Sequence, residues 1–245
     1  MKRTLTTLIA ATLMALSMNA QDLKVISYNI RNSEAKDGTN SWVYRYAASA
    51  EMIQDQKADV LGLQEALADQ IRFVEQNFRD YKWTGDFATI LWNKKTVTLQ
   101  KSGSFDAATW ALFKHKATGK KFYVVNVDLD KTPAAEQKAV IAQILEKTEA
   151  MNKDSLPIVM TGGFFMKPGD AALADLESKM INARKSAIKT DNTGTYTNWG
   201  KTSEIRDHIY YLSFSACDEY QTVTKRYADR KFVSDHYPLM VLFTF

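Results

Sequence analysis

The polar residues that could do chemistry in this chain fall at comparable places. Asn29, Glu65, Asp128, Asp130, Asp207, Asp235 and His236 each come just after, or within, an apolar strand-like run. Asp235 and His236 are adjacent, in Ser234-Asp235-His236-Tyr237-Pro238, directly before the apolar stretch Leu239 to Phe245. An acid next to an imidazole on the turn entering a strand can reach a phosphate, a metal ion or a proton in transit. Pro238 suits the first position of that strand, where its missing N–H costs least. Each acid alone reads equally well as an ordinary turn residue, and Asp235-His236 as an Asx-type turn with a solvent-facing ring. The set reads differently. Strand ends from two packed sheets can meet at one rim and gather several carboxylates, an oxygen-rich cluster suited to Mg²⁺ or Mn²⁺. An ion held there can polarise a phosphoryl group.

The elements needed to bring these residues together are legible. Leu23 to Ile30 reads as a strand with Asn29 at its end, followed by a polar loop over Arg31 to Ser41. Trp42 to Lys57 has helical spacing, with Val43, Ala47, Ala50 and Ile53 on one face. Val60-Leu61-Gly62-Leu63 is a short buried strand that ends at Gln64-Glu65, and Ala66 to Phe78 is a second helix. From Tyr81 to Leu129 strand-like runs alternate with short turns, Thr118-Gly119 the clearest of them, as in an antiparallel meander. Thr132-Pro133 opens a helix that runs to about Met151, with Val140, Ile141, Ile144, Leu145 and Thr148 facing inward. Pro157 to Met160 is a buried strand, Ala171 to Met180 a helix, and Ile209 to Leu212 and Cys217 to Thr224 are strands before the last one. No repeat or linker interrupts the series. The expectation is an α/β (α+β) domain of two sheets packed face to face with helices outside.

Composition sets the surroundings. At 245 residues, 45% hydrophobic and 24% charged, the chain is ordinary for a globular protein. Lys2-Arg3, the apolar run Leu5 to Leu16 and Ala20 read as a secretory signal over residues 1–20, leaving one domain over residues 21–245. The apolar run is too short for a comfortable membrane span, and no span is expected in the mature chain. The expected destination is a bacterial periplasm or the extracellular space. With Cys217 as the sole cysteine, no intramolecular disulfide can form, and the core alone must hold the fold. A net charge of +4, with Lys/Arg pairs scattered along the chain, is weak support for a polyanion partner.

The motifs together resemble those of the endonuclease/exonuclease/phosphatase superfamily, over nearly all of Lys24 to Phe245. Ser27-Tyr28-Asn29-Ile30-Arg31 is similar to its first motif, and Asp59-Val60-Leu61-Gly62-Leu63-Gln64-Glu65 to its second. Arg206-Asp207-His208-Ile209 and Ser234-Asp235-His236-Tyr237-Pro238 are similar to its last two. The resemblance implies a four-layer sandwich of two mostly antiparallel sheets with helices outside. It also implies roles: Glu65 as main metal ligand with Asn29 and Asp235 nearby, Asp207 orienting a catalytic His236, and Mg²⁺ or Mn²⁺ as cofactor. Three positions depart from the family pattern. Val127-Asp128-Leu129-Asp130 stands where the family has Thr-His-Leu-Asp, and Gly162-Gly163-Phe164-Phe165 where it has Gly-Asp-Phe-Asn. The family's imidazole, nucleophile-positioning carboxylate and phosphate-binding amide are all replaced. The stretches Gly85 to Ala88 and Phe105 to Trp110 also look shortened.

Three readings follow. The first is a member with lost or strongly reduced hydrolase activity, since one general base alone is worth about 10²–10⁴ in rate. The second is an active Mg²⁺-dependent phosphodiesterase or phosphatase with a rebuilt site, in which Asp128, supported by Asp130, takes the missing carboxylate's role. The third is a binding module. An active protein of this type would take a phosphorylated small molecule, a lipid headgroup or nucleic acid.

Overall fold

A strand that is buried at nearly every position needs cover on both faces, and β1 (Leu23–Asn29) and β2 (Val60–Gln64) are built that way. The computed structural model describes residues 22–86 and 88–245, so the signal-peptide reading of residues 1–20 lies outside them. Val25 and Val60 enter a core shared with a second sheet, whereas Ile26, Tyr28, Leu61 and Leu63 pack on the opposite face. The two strands pair in parallel, with Ile26 beside Leu61 and Asn29 beside Gln64. The chain continues through β3 (Tyr81–Thr84), β4 (Ile90–Asn93), β5 (Val97–Phe105), β6 (Ala108–His115), β7 (Lys121–Asp128) and β8 (Ile158–Gly163). It ends through β9 (Ile181–Asn182), β10 (Asp207–Leu212), β11 (Ala216–Thr222) and β12 (Leu239–Thr244). The sheets run β11-β12-β1-β2-β4-β3 and β5-β6-β7-β8-β10-β9. Each has one parallel pair, β1 with β2 and β7 with β8, and is otherwise antiparallel.

The helices form the outer layers. α1 (Trp42–Gln56) and α2 (Ala68–Asn77) cover the first sheet through Ala48, Met52, Ile53, Ile71 and Val74. α3 (Ala134–Met151) and α4 (Ala174–Lys179) cover the second through Ile141, Ile144, Leu145 and Leu176. The expected sandwich and its mostly antiparallel sheets are what is found, with most strand ends within a residue or two of their expected places, while β8 runs three residues past Met160 to Gly163. Two details differ. Ala171 to Met180 is not one helix, because a 3₁₀ turn over Ala171–Leu173, capped by the Asp170 side chain, precedes α4. α1 is also rotated from its expected face. It buries Arg45, Ala48, Ser49, Met52 and Ile53, and leaves Val43 63% exposed. Arg45 is 0% exposed because its guanidinium donates to the carbonyls of Ile30, Arg31, Asn40 and Val233. A periodicity that counts only apolar side chains misses a buried cation that is satisfied by backbone.

Candidate functional site

A polar bridge under one rim of the sandwich locks the two sheets together. Asn126 of β7 donates to the carbonyls of Leu63 and Thr89, while its Oδ1 accepts from Gln64 at 2.6 Å and Thr161 at 3.0 Å. A side chain at position 62 would collide with Asn126 and Thr161, so the close approach requires Gly62. Buried and almost fully paired, such a network rigidifies the spacing of the sheets, and the site residues stand on it.

Glu65 follows β2 with φ +58°, a backbone turn that aims its carboxylate across the rim. Its Oε1 accepts from Asn29 Nδ2 at 2.9 Å and its Oε2 from Asn32 Nδ2 at 3.0 Å. Arg31 lies between three carboxylates: Nε is 3.0 Å from Asp37 Oδ2 and 3.7 Å from Asp235 Oδ2, and Nη1 is 3.7 Å from Glu65 Oε2. Asp128, at the end of β7, ties the second sheet to this corner. Its Oδ2 accepts from the Glu65 N–H at 2.8 Å and its Oδ1 from the Asp130 N–H at 3.0 Å. Burial, outweighing those hydrogen bonds, pushes the Asp128 carboxyl up to about 6. Burial raises Asp130 and Asp235 as well.

The register places Gly163 at the centre of the other corner. It pairs with Asp128 in the parallel ladder and with Asp207 in the antiparallel one. Asp207 Oδ2 accepts from Thr195 Oγ1 at 2.6 Å and sits 2.7 Å from His236 Nδ1. Asp207 Oδ1 is buried and has no hydrogen-bond partner among the described residues. His236 is 2% exposed. Burial works against its charge, but the adjoining Asp207 carboxylate prevails and raises its pKa. Phe165, at φ +59°, folds its half-buried ring back over this spot. The ring centroid is 5.9 Å from that of His236, edge to face, and Tyr196 closes the other side at 4.8 Å.

Two clefts open beside these residues. One, of about 350 Å³, is lined by Glu34, Glu65, Asp86, Asp128 and Asp130, with Asn32 and Lys131. The other, of about 430 Å³, lies beyond Arg31 and Asp235, against Tyr196 and Trp199. A hard cation needs oxygen ligands, and Mg²⁺ in particular asks only one or two carboxylates, keeping waters for the rest. Glu65, bordering the acidic cleft, meets that requirement. The support around it is thin. Among the described residues no three His, Cys, Asp or Glu side chains converge as a ligand set. Asn29 presents its NH₂ to Glu65, and the Arg31 cation separates Glu65 from Asp235. The donors fit a singly anchored, weakly held ion.

Of the seven residues singled out in the sequence, Asn29, Glu65, Asp128 and Asp130 meet at the first corner and Asp207 and His236 at the second. Asp235 reaches the first through Arg31. Sequence reasoning did not find Arg31, Asn32, Arg45 or Thr195. Arg31 and Thr195 sit in polar loops and carry no periodic signal, while Arg45 hides in the polar phase of a helix.

A two-sheet sandwich with Asn and Glu at paired strand ends and an Asp–His pair at the opposite corner defines a phosphoesterase-type scaffold. The chain belongs to the Endonuclease/Exonuclease/phosphatase family, whose sequence profile matches residues 26–236. Solved structures share the fold. An endonuclease/exonuclease/phosphatase from Bacteroides vulgatus superposes with a TM-score of 0.82 at 23% identity, over 91% of this chain and 98% of that one. The mannosyl-6-phosphatase of Bacteroides thetaiotaomicron VPI-5482 gives 0.82 at 23% identity, over 91% and 100%. D. rerio TDP2 complexed with a single-strand DNA product gives 0.73 at 15% identity, over 92% and 100%. At such identities the likeness is one of fold. No curated protein matches the chain.

Proposed function

We propose that this protein is an exported family member whose hydrolytic activity is lost or strongly reduced, and which retains the scaffold to hold a phosphorylated ligand. The observation that carries this is the Phe165 ring. It lies over Gly163, between Asp128 and Asp207 in the sheet, and against His236. In a working phosphoesterase the attacking water needs a carboxylate or imidazole within hydrogen-bond reach. Here an apolar ring covers the Asp207–His236 pair. Asp128 offers little relief, since both its oxygens are held by backbone N–H groups at the Glu65 corner and it makes no hydrogen bond to His236 among the described residues. This favours the degenerate reading over a rebuilt site.

Glu65 is the residue that would hold Mg²⁺ or Mn²⁺, with Asn29 and Asp235 near it. Such an ion supplies Lewis-acid polarisation of a phosphoryl oxygen when bound. The acidic cleft would otherwise repel a phosphate. The solved relatives named for a mannosyl phosphate and for a DNA product set the range of ligands to try. The N-terminal Lys2-Arg3, apolar run and Ala20 support export.

The test is hydrolysis of phosphomonoesters and phosphodiesters by the mature chain, with Mg²⁺ and with EDTA. Wild type is expected to give no turnover above background, and Gly163→Asp with Phe165→Asn and Asp128→His to raise it. EDTA-sensitive turnover in wild type that Glu65→Ala abolishes overturns the proposal in favour of the rebuilt enzyme.

A further inference from the structure

The lysine pairs Lys94-Lys95 and Lys120-Lys121 are well separated in the sequence, but the fold brings them to one end of the sandwich. Lys94 and Lys95 occupy the turn between β4 and β5, and Lys116 and Lys120 the turn between β6 and β7. The Lys116 N–H donates to the Thr96 carbonyl at 2.8 Å and its Nζ to the Lys94 carbonyl at 2.6 Å, so the turns are tied together. Asn93 Oδ1 accepts from the Lys95 N–H at 3.0 Å and fixes the first of them. This end is opposite to the one that carries Glu65, because β2 and β4 are antiparallel, with Val60 beside Trp92. Along β2 the chain advances by ~3.3 Å per residue from Asp59 to Glu65, which sets the two ends about 20 Å apart. At that distance, roughly two Debye lengths at physiological salt, the lysines neither serve nor disturb the candidate site.

The charge gathered there is poorly neutralised. Lys95 pairs with Asp80 at 2.5 Å. Lys57, Arg79, Lys94, Lys114 and Lys121 are exposed and make no ion pair among the described residues. Lys114 and Lys121 even stand directly opposite each other on β6 and β7. Like charges so placed destabilise an antiparallel pair, and folding alone does not account for them. Two clefts flank the Lys94-Lys95 turn. One, of about 650 Å³, is bordered by Lys94, Lys95 and Lys116 with Trp92 and Leu99. The other, of about 410 Å³, is bordered by Lys57, Arg79 and Lys95 with Phe78. Among the described residues Asp80 is the only acid that borders either.

These features select among polyanions. Lysine meets an anion as a point charge, without the planar fork by which arginine picks out a phosphate, and every cation at the clefts but Arg79 is a lysine. Nucleic-acid bases need open aromatic faces to stack on. Trp92 and Tyr81 are each only 8% exposed, and the Tyr81 hydroxyl is spent on the Ala58 carbonyl. A duplex or a lipid surface, convex or flat, would rest on the turn between the clefts without reaching the side chains inside them. A chain of sugar rings is narrow enough to enter both, with its apolar ring faces on Leu99 and Phe78 and its hydroxyls toward the exposed Gln54 and Thr98. Apolar faces for the body and a few polar groups to orient it are what such a ligand needs.

We infer that this end of the molecule binds a linear acidic polysaccharide, bearing carboxylate or sulfate groups, which crosses the Lys94-Lys95 turn and occupies both clefts. Binding there is independent of any hydrolysis at the opposite end.

The experiment is calorimetric titration of the mature chain in EDTA with an oligogalacturonate, a dextran sulfate oligomer, neutral dextran, duplex DNA and phosphatidylglycerol vesicles. Saturable binding of one or both acidic oligosaccharides, about tenfold or more tighter than neutral dextran, DNA or vesicles and weakening as salt rises, is the expected result. The two oligosaccharides tell carboxylate from sulfate. Lys94→Glu with Lys116→Glu should weaken binding by about tenfold or more, and so should Lys57→Glu with Arg79→Glu, because each pair reverses the charge of one cleft. Gln at the same positions, which removes the charge without reversing it, should weaken binding by about threefold or more and serves where a reversal unfolds the chain. Lys138→Glu with Lys179→Glu, the same change of charge on α3 and α4, should leave the affinity unchanged. Absence of saturable oligosaccharide binding, equally tight binding of DNA or of vesicles, an unchanged affinity in either cleft pair, or an equal loss in the helix pair overturns the inference.

Discussion

Phe165 Cε2 lies 3.0 Å from the point at which a β-carbon on Gly163 would stand, and Asp207 Oδ1 lies 3.7 Å from it. The ring therefore occupies space that any side chain at 163 would need, and the two positions are coupled. Gly163→Ala should be more favourable in a Phe165→Asn background than in wild type, by about 1 kcal/mol. In wild type the new methyl group overpacks against the ring. Asn tolerates the left-handed backbone at 165 better than Phe does and removes the ring. A double-mutant cycle by urea unfolding measures the coupling. Additive effects would show that the ring is not where the structure puts it.

His236 should titrate above the other two histidines. Burial lowers the pKa of both His115 and His208, whereas Asp207 overrides burial at His236 and raises it. The charged ring then stabilises the fold fully below its unfolded pKa of about 6.5, and the contribution disappears as pH rises through the folded value. Proton–carbon NMR of the imidazoles across pH 4 to 9 is the measurement. Asp207→Asn should bring the His236 midpoint down, and an unmoved midpoint would mean that the 2.7 Å pair does not form in solution.

What could be read from the sequence follows a physical line. Strands buried on two faces, such as β1, β2 and β12, announce themselves as apolar runs, and the polar residue at the end of each run marks the rim. Asn29 and Glu65 were found that way, Asp207 by the motif that opens β10, and the replacement of a carboxylate by Gly163 was visible too. Orientation was not. The inward face of α1 was misplaced because Arg45 and Ser49 are buried by hydrogen bonding rather than by hydrophobicity. The stretch from Ala183 to Lys201 gave no signal at all. It is held by side chain to backbone bonds, such as Asp191 to the Thr193 and Thr222 N–H groups and Arg184 to the Thr193 carbonyl, and these have no period. The Tyr196–Trp199 wall belongs to that stretch. So does Thr195, which is why the partner that holds Asp207 went unseen.

Asp128 should leave a signature in the pH dependence of stability. Its carboxyl is raised to about 6, by burial above all. The folded state therefore gains from the protonated form. That gain is complete below the unfolded pKa, near 4, and is lost as pH rises through about 6. Two units correspond to roughly 3 kcal/mol at most. The stability of wild type minus that of Asp128→Asn should accordingly fall by about 2–3 kcal/mol between pH 4 and pH 7. The difference cancels titrations common to both proteins. Urea melts at half-unit pH steps provide it, and a flat difference would show that the Asp128 carboxylate is better solvated than its position between the sheets implies.

The last prediction concerns the ion. Glu65 is the one carboxylate that borders the acidic cleft with its oxygens held by side-chain amides rather than spent on backbone N–H groups alone. A cation arriving there must displace or turn the amides of Asn29 and Asn32 and tolerate the Arg31 guanidinium, 3.7 Å from Oε2. Each of these costs affinity, and the positive charge of Arg31 repels the newcomer. Mn²⁺ should therefore bind, but weakly, and paramagnetic broadening should centre on Asn29, Asn32 and Glu65. Glu65→Ala should remove the broadening. Arg31→Met should strengthen binding, because it deletes the competing cation while leaving Glu65 in place. If Arg31→Met instead weakens binding, the guanidinium is supporting the Glu65 geometry more than it opposes the ion. Broadening that survives Glu65→Ala would place the ion elsewhere and remove Glu65 as its anchor.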